Sequence, residues 1–196
     1  MEFEGEFELE GVEPEDAWVV LSDPVAVRDA LKGCRYIVPM DDGGFDFDNY
    51  EPEEDVPTLP DVDPEVVADR AFVEGGKYAA LMQIGVGSVK PRFETRVTIT
   101  EREYPKMVAT GGGAASDSSF EMESGMTISE TDSGSKVEWW TGADVSGRIA
   151  QLGGRVLNPV ADKIVSQFFT NIQQQMSDVD ESEQGRSITN RLRNLL

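Results

Sequence analysis

Proton transfer and transition-metal binding near neutral pH lean most on histidine, and this 196-residue chain has none. Its one cysteine, Cys34, has no second thiol to pair with and no imidazole to activate it. Zinc sites and Cys/His nucleophilic catalysis thus lose their usual groups, and no catalytic residue is assigned. Carboxylates are plentiful, and Asp41, Asp42, Asp46 and Asp48 could offer oxygens to calcium. Their spacing lacks the EF-hand pattern with its bidentate glutamate at the twelfth position, so a solvated charge run is the simpler reading and no metal ligand is assigned. Gly111–Gly113 has neither the GxxxxGK pattern nor the following helix of a phosphate cradle, and a strand kinked for sheet curvature is expected there instead. What remains is apolar recognition. Period-two alternation places Tyr78, Ala80, Met82, Phe93, Thr95, Ala109, Gly111, Phe120, Met122, Met126, Trp139 and Thr141 on one face, with Gly113, Ser124 and Ala143 beside them. Small residues on that face leave volume and methionine gives it an adaptable wall, which predicts a ligand cavity; a tightly packed core is the rival reading.

Seven alternating segments would carry that face. Glu2 to Glu10 alternates Phe3, Gly5, Phe7 and Leu9 with five glutamates, a strand with one face buried. Pro14 and then Asp23-Pro24 open two short helices, the second closed by Gly33, and Cys34 to Met40 reads as a short strand. From Phe72 the chain is strand after strand to Val145, with turns at Tyr104-Pro105 and Asp132 to Gly134. From Arg148 to Met176 apolar residues recur at intervals of three and four, with Val160, Ile164 and Phe168 on the stripe. That helix would be roughly 40 Å long at about 1.5 Å per residue, and Pro159 predicts a bend near Val156. Only this helix is large enough to cover the sheet. The order predicts an α+β fold in which a curved antiparallel sheet wraps around one long C-terminal helix, with two short helices after the first strand.

Charge divides the chain further. There are 38 acidic and 17 basic residues, only six of them lysine. A surface this negative repels nucleic acid, and no nucleic-acid partner is expected. Adaptation to a cytoplasm at molar salt, where screening shortens to about 3 Å, competes with a specific basic partner as the reason for the charge. The main domain is expected over 1–176, with residues 41–69 as an acidic loop insertion that holds twelve acidic residues, four prolines and no base. Residues 177–185 read as an acidic linker. Residues 186–196 reverse sign: the body carries net −24 and this tail +3. Arg186, Ile188, Arg191, Leu192, Arg193, Leu195 and Leu196 fit a short amphipathic helix that docks on an anionic membrane or a partner; a frayed end, or a helix that packs back on its own domain, is the alternative. No run of 18 apolar residues and no basic-then-apolar leader is visible, so a cytoplasmic location, peripheral on the membrane at most, is expected.

Met1-Glu2-Phe3-x-Gly5, Ser22-Asp23-Pro24 with Leu31-x-Gly33-Cys34, Ile84-Gly85-Val86-Gly87-x-Val89-Lys90, and Gly147-x-Ile149-Ala150-Gln151-Leu152-Gly153 together resemble the carbon monoxide dehydrogenase G-subunit family over about residues 1–40 and 72–176. The acidic insertion is a departure from the usual family core. The resemblance implies the helix-grip fold (START- and Bet v 1-like, SRPBCC superfamily) shared with lipid-transfer domains and polyketide cyclases. It further implies a non-catalytic accessory role without a covalent cofactor, in which a quinone or lipid-like molecule is bound and a molybdenum hydroxylase such as carbon monoxide dehydrogenase is linked to the membrane. A cyclase or dehydratase of the same superfamily would need an acid or base inside, whereas Asp and Glu fall almost wholly on outward positions. A structural recruiter with a filled core is the third reading.

Overall fold

The computed structural model describes residues 1–53, 55–85 and 90–181, with side chains for all of these but 64 and 178–181. The tail from Arg186 to Leu196 and the hairpin residues 86–89 lie outside the described residues.

The first strand, β1, is Glu2–Glu10; its five glutamates are exposed while Leu9 is buried and Phe3 and Phe7 half-buried. Gly11 ends it with φ +72°, a conformation that costs a glycine little. Helix α1 (Pro14–Ser22) and helix α2 (Pro24–Ala30) both begin on proline, whose missing N–H would have had no partner in a first turn. Asp23 caps α2 by accepting a hydrogen bond from the Val25 N–H at 2.9 Å. Gly33 (φ +91°) then lets the chain pass against β3, where a Cβ would come within 2.3 Å of the Gln83 carbonyl oxygen.

The remaining strands are β2 (Cys34–Pro39), β3 (Lys77–Gln83), β4 (Arg92–Glu103), β5 (Lys106–Ala115), β6 (Ser118–Thr131) and β7 (Gly134–Gly147). They form one seven-stranded antiparallel sheet in the order β1-β7-β6-β5-β4-β3-β2. Register places Phe7, Val137, Ile128 and Trp139 with Met126, Met107 and Thr95 with Gly113 on one face, which the alternation of the sequence also groups. Helix α4 (Gly154–Glu181) lies across that face, as the sequence order requires.

Three local features differ from the sequence reading. The long helix begins at Gly154 rather than Arg148, because Gly153 (φ +68°) separates it from a 3-10 turn at Ala150–Leu152. The interruption therefore falls ahead of Val156, and Pro159 sits inside a continuous helix. The helix also runs on to Glu181, through the first part of the acidic linker.

The third difference is the acidic stretch, which buries apolar surface after all. Phe47, Leu59 and Val67 are 5, 7 and 0 % exposed. Phe45, Phe47 and Tyr50 gather with Tyr36, Ala79 and Leu81 into a small cluster on the convex side of the sheet, with Tyr36–Tyr50 and Phe45–Phe47 ring centroids 4.8 and 5.0 Å apart. The Arg96 guanidinium lies 4.9 Å from the Phe47 ring centroid, and Arg92 donates to the Phe47 carbonyl at 2.8 Å. Residues Pro64–Arg70 form helix α3, capped by Asp63, and Arg70 closes a two-pronged ion pair with the buried Asp23 at 2.8 and 2.6 Å. Each buried aromatic or aliphatic side chain contributes about 1.5–3 kcal/mol, and the acids between them face water.

Candidate ligand-binding site

Two packed clusters divide the concave face. The larger contains Leu9, Trp18, Tyr78, Ile99, Met107, Ile128, Val137, Phe169, Ile172 and Met176, with Ala109, Met126, Trp139 and Phe168 at its margin. The smaller contains Met82, Phe93 and Ile149, with Phe120, Val145 and Leu157 at its margin. Between them runs a belt whose members belong to neither. Strand by strand it consists of Ala80, Thr95, Gly111 with Gly113, Met122 with Ser124, and Thr141 with Ala143; on the helix it consists of Val160, Ala161 and Ile164. The register is continuous across the sheet: Ala80 pairs with Thr95, Thr95 with Gly113, Gly111 with Met122, Met122 with Ala143 and Ser124 with Thr141.

The helix is secured at one end. Phe7 stacks on Phe169 with centroids 5.0 Å apart, Asn171 and Gln175 donate to the Ala30 and Ala26 carbonyls at 2.8 and 3.1 Å, and the Glu10 N–H donates to Gln173 Oε1 at 3.0 Å. Toward its start, Val156, Leu157, Val160, Ala161 and Ile164 are only half-buried, as are Met122, Met126, Trp139, Thr141 and Ala143 on the sheet. On both surfaces these apolar groups are turned inward and still reached by solvent.

The predicted lining residues separate accordingly. Ala80, Thr95, Gly111, Met122, Thr141, Val160 and Ile164 lie on the belt. Ala109, Met126, Trp139 and Phe168 border it on one side and Phe120 on the other, while Tyr78, Met82 and Phe93 are buried in the packed walls. Tyr78 is committed there: its hydroxyl accepts from the Val73 N–H at 3.0 Å and its ring meets Phe72 edge-on at 4.8 Å.

Small residues do not all leave space. A Cβ on Gly113 would come within 2.5 Å of the Phe120 ring and 2.8 Å of Thr95 Oγ1, and one on Gly5 within 3.0 Å of the Trp139 ring. Neighbouring aromatics therefore cover those two glycines. A separate recess of about 10 Å³ is bounded by Val20, Asp23, Ala26, Thr58, Leu59, Val67 and Gln175, between α2, α4 and the acidic segment and away from the belt.

The belt carries no charged side chain. Its hydroxyls are Thr95, Ser124 and Thr141, of which the last two share a hydrogen bond. Cys34 is half-buried at the smaller cluster, and burial pushes its thiol up to about 12, against a lesser opposing effect of its hydrogen bond to the Tyr36 carbonyl. Asp42, Asp46 and Asp48 turn to Lys77, Asn49 and Arg92 respectively, and among the described residues no group of three or more His, Cys, Asp or Glu could hold a metal ion. No described helix is long and apolar enough to cross a membrane.

Comparison with known proteins places this geometry. The family described as the carbon monoxide dehydrogenase G-subunit (CoxG) matches residues 69–177, more than half of the chain and the part that holds the whole belt. This chain is a CoxG family member. No curated protein sequence matches it significantly. Among solved structures, a conserved protein from Geobacillus kaustophilus is similar over 89 % of this chain and 94 % of its own, at 21 % identity and a TM-score of 0.65. TTHA0849 from Thermus thermophilus covers 89 % and 96 % at 11 % identity and 0.56, and Ara h 8.0201 covers 90 % and 98 % at 14 % identity and 0.52. At these identities the likeness is one of fold: the CoxG chain has the helix-grip, START- and Bet v 1-like architecture. Sequence alternation reached most of the belt. It left Ala161 off the lining and gave no sign that Phe120 lies over Gly113, which depends on cross-strand packing.

Proposed function

We propose that this protein is a non-catalytic accessory protein that holds a neutral apolar molecule, a quinone or a lipid, between sheet and helix. The observation that carries this reading is the uncharged belt, half-open on both sheet and helix, between two packed clusters. An isoprenoid or acyl chain buried there at roughly 25 cal/mol per Å² needs no charged anchor. Acid–base catalysis finds no support on that face, since Asp, Glu, Lys and Arg are absent from the belt and the chain lacks histidine.

The family name ties relatives to carbon monoxide dehydrogenase. We extend this to a partner: a molybdenum hydroxylase of that kind, to which the bound quinone connects the membrane. The tail from Arg186 to Leu196, with three arginines and four large aliphatics, is the segment proposed to meet an anionic bilayer. The density of exposed glutamate on β1 fits a salt-rich cytoplasm, where rising KCl should raise the unfolding temperature.

Vesicle transfer tests the reading. Protein incubated with vesicles that contain a short-chain quinone and anionic phospholipid is expected to leave the centrifuge with quinone in the soluble fraction. Loss of residues 186–196 should reduce vesicle association without changing quinone affinity in detergent-free buffer. Protein that never removes quinone from the vesicles would leave a scaffold role only.

A further inference from the structure

The hydroxyl of Thr95 is the polar atom on the belt that has no partner. Thr95 is 4 % exposed, and its Oγ1 is buried without a hydrogen bond, whereas Ser124 and Thr141 bond to each other. Ser22, Tyr36 and Ser135 also bury unpartnered hydroxyls, but off the belt. An unsatisfied buried hydroxyl is costly, and valine would fill the same volume without that cost. The position is central: Thr95 pairs with Ala80 on one side and Gly113 on the other, midway between the two packed clusters. Its Oγ1 lies near the space a Cβ on Gly113 would take, and the Phe120 ring reaches into the same space. Phe120 is itself half-buried and meets Phe93 edge-on at 5.3 Å, and its ring lies over Gly113 of the belt.

We propose that Thr95 is the polar anchor of the cleft, donating its hydroxyl hydrogen to a neutral oxygen, a ketone or quinone carbonyl, on an otherwise apolar ligand, with Phe120 as the ring that swings aside to admit it. This rests on the cleft reading above and adds a specificity to it. A carboxylate or phosphate would lose its hydration beside Ala80, Met122 and Phe93 with no cation to meet it. A hydrocarbon would leave the hydroxyl as orphaned as before. The chemistry that satisfies the site is one uncharged acceptor oxygen on an apolar frame.

The test uses two probes, the naphthyl ketone 6-propionyl-2-dimethylaminonaphthalene, whose emission moves to the red when its carbonyl accepts a hydrogen bond, and its 6-propyl analogue without the oxygen. The full chain is expected to bind the ketone about ten-fold more tightly than Thr95→Val does, with red-shifted emission that Thr95→Val loses and Thr95→Ser restores. The oxygen-free analogue should bind both forms equally. Without a probe, Thr95→Val should melt about 2–4 °C higher, as removal of an orphaned hydroxyl requires. The anchor is overturned if Thr95→Val binds the ketone as the natural chain does, if it loses both probes alike, or if it melts lower, which would reveal an internal partner for the hydroxyl. Failure of the natural chain to bind either probe overturns the cleft itself and the anchor with it.

Discussion

Phe7 on the first strand and Phe169 on the last helix lie nearly parallel, 15° apart in plane and 5.0 Å between centroids. That contact joins the sheet edge to the helix and secures this end of the helix; toward the other end the helix side chains are only half-buried. Phe169→Ala should therefore lower stability by about 3–5 kcal/mol in urea titration, since Phe169 is 5 % exposed. Val160→Ala, half-buried on the belt, should cost much less. Equal losses at both positions would mean that the helix packs uniformly along its length.

The ion pair of Arg70 with Asp23 should hold the acidic segment in place. Asp23 is 1 % exposed, caps α2 and receives both prongs of the guanidinium, while Arg70 also donates to the Pro57 carbonyl at 3.0 Å. Arg70→Met strands a buried carboxylate and should cost about 3–5 kcal/mol. Limited proteolysis should then cut between residues 41 and 69 faster. In a double-mutant cycle with Asp23→Asn, the second substitution should cost less than it does alone. Strict additivity would dismiss the coupling.

Cys34 makes a prediction about pH. Its thiol rises from an ordinary value of 9.0 to about 12 through burial. Because the unfolded chain releases this proton first, the contribution to stability is whole below about pH 9 and is lost as pH climbs from there toward 12. Stability of the natural chain should thus fall more steeply than that of Cys34→Ala over this interval, followed by urea unfolding at each pH. Iodoacetamide should modify the folded protein at pH 8 far more slowly than the unfolded one. Prompt modification of the folded form would contradict the burial.

Strand and helix periodicity carried most of the fold. Phe3, Phe7 and Leu9 against five glutamates, or Phe120 to Ile128 against their outward neighbours, leave little freedom in which face turns inward. The acidic segment hid its structure because Phe45, Phe47, Tyr50, Leu59 and Val67 follow no period. They find partners in Tyr36, Leu81 and the helices only once distant strands are paired. The same limit applies at the site. Alternation could name Gly113 and Phe120 as inward, yet the ring fills the glycine's space through a cross-strand contact. The unpartnered hydroxyl of Thr95 likewise becomes visible only when its neighbours are placed. Gly153 shows the reverse case, a local backbone choice that overrides a helical stripe already begun at Ile149.

The cleft itself is most directly tested by native mass spectrometry of the protein equilibrated with a short-chain quinone, beside the variant Ala143→Trp. Ala143 is half-buried on the belt, opposite Met122, where an indole would compete with a ligand held between sheet and helix. A one-to-one adduct on the natural chain that Ala143→Trp lacks, with both forms equally folded by circular dichroism, is the expected result. No adduct on the natural chain, or the same adduct on both, would contradict a ligand between sheet and helix.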